Sequence, residues 1–165
     1  MKKIFSEKLL RIIKNKKRLE KELNVKITNR GKEVFVEGEA EEEYSAEKVI
    51  DALNFGFPFE NALLIKKENF ILEILNIKDY TKRKDLETIR ARIIGKGGRT
   101  LKTLQHLTKC YFELKDNYVG IIGSPEYLEN AQESIISVIR GSKQSNVYHS
   151  LEKNQTKPVT DLGLK

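Results

Sequence analysis

The chain has 165 residues, with 31 Lys and Arg against 24 Asp and Glu, which gives a formal net charge of +7 at pH 7. A hydrophobic fraction of 39% beside a charged fraction of 33% predicts a globular chain with a well-solvated surface, and it excludes wholesale disorder and a collagen-like repeat. No apolar run reaches the ~20 residues of a membrane helix and no signal-type apolar segment opens the chain, so we expect a cytoplasmic protein.

The charge is distributed unevenly, and its pattern occurs twice. Residues 1–32 carry a net charge of +9, whereas residues 33–60 carry −8. Residues 78–109 carry +7, and residues 110–140 carry −3. A basic stretch followed by an acidic one, with a period of about 75 residues, predicts two copies of one structural unit.

The first copy predicts the order strand, helix, helix, strand, strand, helix. A strand at 3–5 is followed by a helix that Ser6 caps, and residues 14–17 (Lys-Asn-Lys-Lys) separate this helix from a second one. Strands at 25–28 and 33–36 precede a closing helix with apolar positions at helical spacing. A short linker helix at 59–64 follows Gly56 and Pro58.

The second copy repeats this order more clearly. A strand at 70–78 precedes a short amphipathic helix at 85–94, a glycine-rich loop and a second helix from Arg99. Strands at 111–115 and 118–122 flank Asp116-Asn117, a strong turn dipeptide, and Ser124-Pro125 begins the closing helix. Residues 146–153 predict a further strand or helix, and 154–165 a loose tail.

The loop Gly95-Lys96-Gly97-Gly98 is the segment that most directly indicates a function. It lies between two helices, which is unlike the strand-loop-helix setting of a Walker loop, and Thr100 replaces the last glycine of a dinucleotide motif. A GXXG loop in this position is typical of a KH unit, in which glycines let an RNA backbone approach, and helix amides and basic side chains face phosphates. Such a unit grips about four nucleotides.

The side chains around this loop complete the candidate RNA site. The residues that we expect to contact RNA are Arg92, Ile94, Gly95, Lys96, Gly97, Gly98, Arg99, Thr100, Lys102 and Phe112. Ile94 and Phe112 form either an apolar floor for bases or part of the core. Arg90 and Arg92 either line a groove or lie on a solvated helix face.

The corresponding loop of the first copy has no glycine. We expect this loop to make only a secondary phosphate contact, through Lys14, Lys16 and Lys17. It does not grip RNA as a glycine loop does, because side chains lie where the RNA backbone would approach. An alternative explanation for part of this positive charge is that it lies on an exposed helix surface. Ion pairs at helical spacing, Lys16 with Glu20 and Arg18 with Glu22, would then balance it.

These motifs resemble tandem-KH ribosome-assembly factors of the Partner-of-Nob-one type, with Krr-type processing factors as relatives. The similarity covers residues 2–153 and is most specific in the Arg-Ile-Ile-Gly-Lys-Gly-Gly-Arg-Thr string at 92–100. It implies an α+β fold of two tandem type I KH units (βααββα), each with a three-stranded antiparallel sheet and three helices on one face. We place the first unit and the linker helix at 1–67, the second unit at 68–142, and an extension with a disordered end at 143–165.

The resemblance also implies a function and partners. It implies a non-catalytic protein that binds the 3′ end of small-subunit ribosomal RNA through its second unit during rRNA processing. The implied protein partners are the maturation endonuclease, the rRNA dimethyladenosine methyltransferase and, in archaea, the α subunit of initiation factor two. An alternative function is a protein-protein adaptor that uses the KH folds as docking surfaces.

Catalysis and metal binding have little support in the sequence. Cys110 is the single cysteine, so an internal disulfide is excluded, and with His106 and His149 it does not make a four-ligand zinc site. No paired carboxylates or nucleophile-base arrangement stands out. We therefore expect no enzyme activity, no metal and no cofactor.

Overall fold

The structure is a computed structural model that describes residues 1–155. The chain forms two compact units, one comprising Met1–Glu73 with Ile122–Ser124, the other Ile74–Ile121 with the described residues from Pro125 onward. Among the described residues, no helix has the length and apolar character needed to cross a membrane. From position 156 on, the tail predicted at 154–165 lies outside the described residues.

The first half of the chain contains three strands and four helices among its described elements. They are β1 (Lys2–Phe5), α1 (Leu9–Lys14), α2 (Lys16–Leu23), β2 (Lys26–Arg30), β3 (Glu33–Glu37), α3 (Ala40–Phe55) and α4 (Phe59–Lys67). The strand order is β1-β3-β2, with antiparallel neighbours. The central strand β3 buries alternate residues, Val34 and Val36, as the twofold period of a strand requires.

The helix α3 closes the core of the first unit. Its residues Ala46, Val49, Ile50 and Leu53 recur at helical spacing, and none has exposed surface. The predicted cap of the first helix is wrong, since α1 begins only at Leu9. The buried Ser6 hydroxyl instead donates to the Asn54 side-chain oxygen at 2.6 Å, and so joins the strand end to α3.

The second half has three strands and four helices among its described elements. They are β4 (Ile71–Asn76), α5 (Leu86–Ile94), α6 (Arg99–Thr108), β5 (Tyr111–Lys115), β6 (Tyr118–Gly123), α7 (Pro125–Ile139) and α8 (Gln144–Gln155), with 3₁₀ turns at Ile77–Tyr80 and Lys96–Gly98. The strand order is β4-β6-β5. The predicted α+β fold with two three-stranded antiparallel sheets is confirmed.

Two details differ from the predicted elements or decide between alternatives. The strand predicted to reach residue 78 ends at Asn76, because the Asn76 side-chain oxygen accepts from the Lys78 amide at 3.1 Å and turns the chain into the 3₁₀ segment. The segment at 146–153 is a helix, part of α8. Its Val147 and Leu151 are buried in the core of the second unit.

Candidate nucleic-acid interface

The helices α5 and α6 meet at the glycine loop, Gly95–Gly98. Three of its residues have positive φ: Gly95 at 77°, Gly97 at 62° and Gly98 at 78°. Gly95 ends α5, and its amide donates to the Ala91 carbonyl at 2.8 Å. These backbone conformations favour glycine, so the loop geometry explains the glycines of the sequence motif.

The glycines have two different structural roles. A Cβ atom on Gly95 would lie 2.1 Å from Oγ1 of Thr100, whereas a Cβ on Gly97 or Gly98 would meet nothing within 4 Å. Gly95 is therefore required by packing inside the protein. Gly97 and Gly98 leave an open main-chain surface on the outside, where an RNA backbone can approach.

The loop amides are partly used within the protein. The Gly98 amide donates to the Gly95 carbonyl at 3.1 Å, and the Arg99 amide donates to the Lys96 carbonyl. These bonds hold the loop as a 3₁₀ turn. A phosphate at this loop would therefore be attracted by the positive end of the α6 dipole and by the basic side chains. The open main chain contributes by letting the phosphate come close.

Three exposed cations lie within the loop or in the first turn of α6. Lys96 lies in the loop, Arg99 is the first residue of α6, and Lys102 follows three residues later. Residues three apart on a helix are neighbours, so Arg99 and Lys102 share a face. Within residues 1–155 none of the three forms an ion pair. Their charge is available to an anionic ligand.

The structure separates the apolar and hydroxyl side chains expected in the site. Ile94 is 40% exposed beside the loop, which suits it to contact a base. Phe112 is 2% exposed within the core of the second unit, so it does not form an accessible floor. Thr100 is also buried, beneath Gly95, and supports the loop from the inside.

The two arginines of α5 have different partners. Arg90 is half-buried and donates to the side-chain oxygen of Asn117, in the turn between β5 and β6. Arg92 donates through Nη2 to the Ser142 carbonyl at 2.8 Å. The Gln144 side chain in turn donates to the Arg92 carbonyl at 3.3 Å. Arg92 therefore connects the last turn of α5 to the start of α8, a role that its sequence position did not indicate.

The corresponding connection in the first unit consists of one residue. Asn15, with φ −105° and ψ 10°, separates α1 from α2, and its side chain donates to the Arg11 carbonyl at 2.8 Å. Lys14 and Lys17 are exposed and Lys16 is half-buried. Without positive φ or an open main chain, this connection lacks the surface present at Gly97 and Gly98.

The ion pairs expected along α2 are replaced by others. Arg18 pairs with Glu60 at 2.7 Å and lies over the Phe59 ring at 4.4 Å. Glu20 accepts from the Ile27 amide at 2.9 Å, and Glu22 lies 3.8 Å from the Lys67 amine. Neither expected pair lies within ion-pair distance, and Arg18, Glu20 and Glu22 instead interact with residues of α4 and β2.

Groups of nucleophilic or metal-binding type do not gather around the loop. Burial raises the pKa of the Cys110 thiol to about 11, so the thiol stays protonated at neutral pH. His106 and His149 are exposed on separate helices. In the part of the chain that the structure describes, no cluster of His, Cys, Asp and Glu could hold a metal ion.

Comparison with known families identifies the fold. A family model of the second KH domain of PNO1, described as a eukaryotic type KH-domain (KH-domain type I), matches residues 71–156. The chain belongs to the PNO1-type KH family. The match covers the glycine loop and the helix α8, and it confirms the resemblance inferred from the 92–100 string.

Individual relatives extend the similarity beyond the second unit. A KH domain-containing protein of Methanocaldococcus jannaschii is 28% identical over 149 residues, which cover 86% of this chain and 66% of that protein. The RNA-binding protein pno1 of Drosophila pseudoobscura pseudoobscura is 35% identical over 105 residues, or 62% of this chain and 44% of that protein. The chain thus spans less than two thirds of the length of these relatives.

A solved structure from Pyrococcus horikoshii is similar over almost the whole chain. It is the crystal structure of a complex of a/eIF2alpha, aDim2p and rRNA, and the matched chain is 28% identical with a TM-score of 0.85. The similarity covers 95% of this chain and 94% of that one. A single known protein therefore contains both units found here.

Proposed function

We propose that this protein binds single-stranded RNA through the glycine loop of its second unit, as a non-catalytic factor in small-subunit ribosome assembly. The observation that carries the proposal is the open main chain at Gly97 and Gly98, bordered by exposed and unpaired Lys96 and Arg99. A surface with these properties admits a sugar-phosphate backbone at close range and neutralises it.

The proposed ligand is the 3′ end of small-subunit rRNA. It is supported by the similar Pyrococcus horikoshii chain, which was crystallised in a complex with rRNA, and by relatives named as RNA-binding proteins. The contacts that we propose are made by Ile94, by the loop Gly95–Gly98, by Arg99 and by Lys102. Lys14, Lys16 and Lys17 supply at most a secondary electrostatic contact.

The proposed protein partners are the α subunit of initiation factor two, the maturation endonuclease and the rRNA dimethyladenosine methyltransferase, all within the cytoplasm. The first is supported by the similar crystallised complex, which includes a/eIF2alpha. Exposed apolar residues on α1, Leu10 at 78% and Ile13 at 45%, offer a surface for such a contact in the first unit. An adaptor role is therefore compatible with RNA binding by the second unit.

A salt titration tests RNA binding directly. A fluorescently labelled RNA with the sequence of the rRNA 3′ end is titrated with the full chain at several ionic strengths, and anisotropy gives Kd. Neutralising about three phosphates on a single strand predicts a slope of about −2 for log K against log salt. Absence of binding at low ionic strength contradicts the proposal and favours the pure adaptor.

A further inference from the structure

A basic segment, Lys82–Lys84, precedes the end of α5 that is remote from the glycine loop. All three side chains are exposed. Arg83 is engaged by Asp85, whose carboxylate lies 3.3 Å from its guanidinium. Lys82 and Lys84 form no ion pair within residues 1–155, so two positive charges remain available there.

An open depression extends from this segment along α5 toward the glycine loop. It has a volume of about 620 Å³, and Lys84, Arg90, Ala91 and Asn117 are among its lining residues. Ala91 lies within one helical turn of the loop, because its carbonyl accepts from the Gly95 amide. The depression thus follows α5 from Lys84 to Ala91, which lies one helical turn before the loop.

The length of α5 sets the distance between the two ends. It has nine residues, which at 1.5 Å per residue span about 13.5 Å. A stacked strand advances about 3.4 Å per nucleotide, so this length corresponds to about four nucleotides. A strand that leaves the glycine loop along α5 therefore reaches Lys84 after a few further nucleotides.

The surface between the two ends leaves room for a strand. Thr88 and Ala91 are small and exposed, and both line the depression. Arg90 retains donors beyond the one that Asn117 accepts, because a guanidinium has five. Glu87 also lines the depression and is the acid that opposes a phosphate there, since Asp85 is engaged by Arg83.

We propose that the RNA footprint continues from the glycine loop along α5, and that Lys82 and Lys84 bind phosphates beyond the nucleotides gripped by the loop. This inference rests on the proposed function of the loop. It adds a second anion-binding end to the site, and it assigns a role to a basic segment that lies outside the GXXG motif. The ligand is one continuous single strand, contacted at its backbone.

A length series tests this second end. Four-nucleotide and eight-nucleotide RNAs from the same 3′-end sequence are titrated with the full chain. We expect the parent chain to bind the longer RNA roughly tenfold more tightly, with a salt slope steeper by about 1.4 for two additional phosphates. In the double variant Lys82→Gln, Lys84→Gln both differences disappear, while affinity for the shorter RNA is unchanged.

Two further variants isolate the cause. Lys26→Gln with Lys32→Gln removes two exposed lysines of the first unit and serves as the control for net charge. It should keep the preference for the longer RNA. Glu87→Gln removes the repulsion between one carboxylate and an RNA phosphate, so it should tighten binding of the longer RNA roughly two- to threefold. Its affinity for the shorter RNA should not change.

The outcomes distinguish this inference from the function on which it rests. If the shorter RNA binds and the longer one gains nothing, the second end is refuted while the glycine loop stands. A gain that survives the Lys82→Gln, Lys84→Gln exchange also refutes it. If neither RNA binds at low salt, the proposed function fails, and the inference fails with it.

Discussion

The two units join their paired helices by very different connections. In the first, Asn15 alone links α1 to α2 with a negative φ. In the second, four residues link α5 to α6, and three of them have positive φ. The same order of strands and helices thus accommodates either connection, and only the longer one exposes bare main chain. The proposed RNA site therefore depends on this particular loop in addition to the fold.

The basic side chains near the two connections also differ in whether they have partners within the protein. Arg11 donates to the carbonyls of Leu53 and Phe57 at 2.7 and 2.6 Å, and Arg18 is paired with Glu60. These arginines hold the first unit together. Lys96 and Arg99, in contrast, have no acidic partner among the described residues. We therefore expect the first unit to attract phosphate less strongly than the net charge of residues 1–32 suggests.

The largest effect is expected from acids in the second connection. Lys96→Asp with Gly97→Asp should weaken binding of a short RNA by roughly a hundredfold or more, since two carboxylates replace a cation at the point of phosphate approach. Asp tolerates the left-handed conformation of Gly97, so the thermal transition should change little. Anisotropy and circular dichroism measure the two effects. Equal affinity of variant and parent would show that the loop does not bind RNA.

Gly95→Ala should destabilise the protein more than Gly97→Ala. Both positions have positive φ, and at Gly95 (φ 77°, ψ 171°) the conformation alone costs about 1–3 kcal/mol for another residue. The new Cβ would also overlap Thr100, whereas at Gly97 it would face open space. Urea unfolding of the two variants measures the difference. Equal loss of stability would mean that Thr100 moves aside at no cost.

Two arginine replacements distinguish a side chain that contacts RNA from one that supports the protein structure. Arg99→Gln should lower RNA affinity severalfold and reduce the salt slope by about 0.7, the value for one phosphate on a single strand. Arg92→Gln should leave the slope unchanged, because Arg92 bonds to Ser142. Any affinity that this variant loses would come from displacement of the end of α5. A reduced slope for Arg92→Gln would instead place this side chain on a phosphate.

The smallest effect is expected in the first connection. Lys14→Asp with Lys17→Asp introduces acids at exposed positions comparable to those of the second loop. Affinity for a short RNA should change by no more than about twofold at 0.15 M salt, where screening limits long-range effects. A loss comparable with that of the Lys96 and Gly97 variant would identify the first unit as the RNA-binding one.

Sequence reasoning succeeded where a local pattern reflects local geometry. The Asp116-Asn117 dipeptide predicted the hairpin, and Asp116 does have a positive φ of 53°. The periodic apolar residues predicted α3, and Ser124-Pro125 predicted the start of α7; both helices bury apolar residues. Phe112 shows the limit of this reasoning. Its place in a strand beside the candidate site permitted either an accessible floor for bases or a place in the core, and only its burial in the core of the second unit decided between them.

The sequence by itself determined the repeated βααββα order and the position of a loop that requires glycine, because helix periods, turn residues and positive φ depend on neighbours along the chain. The tertiary structure decided which charges remain free, since the partners of Arg11, Arg18 and Arg92 lie roughly 40 to 50 positions away. It also decided that Gly95 serves packing while Gly97 and Gly98 face outward. A residue's availability to a ligand depends on what the fold brings against it, and that information is not local.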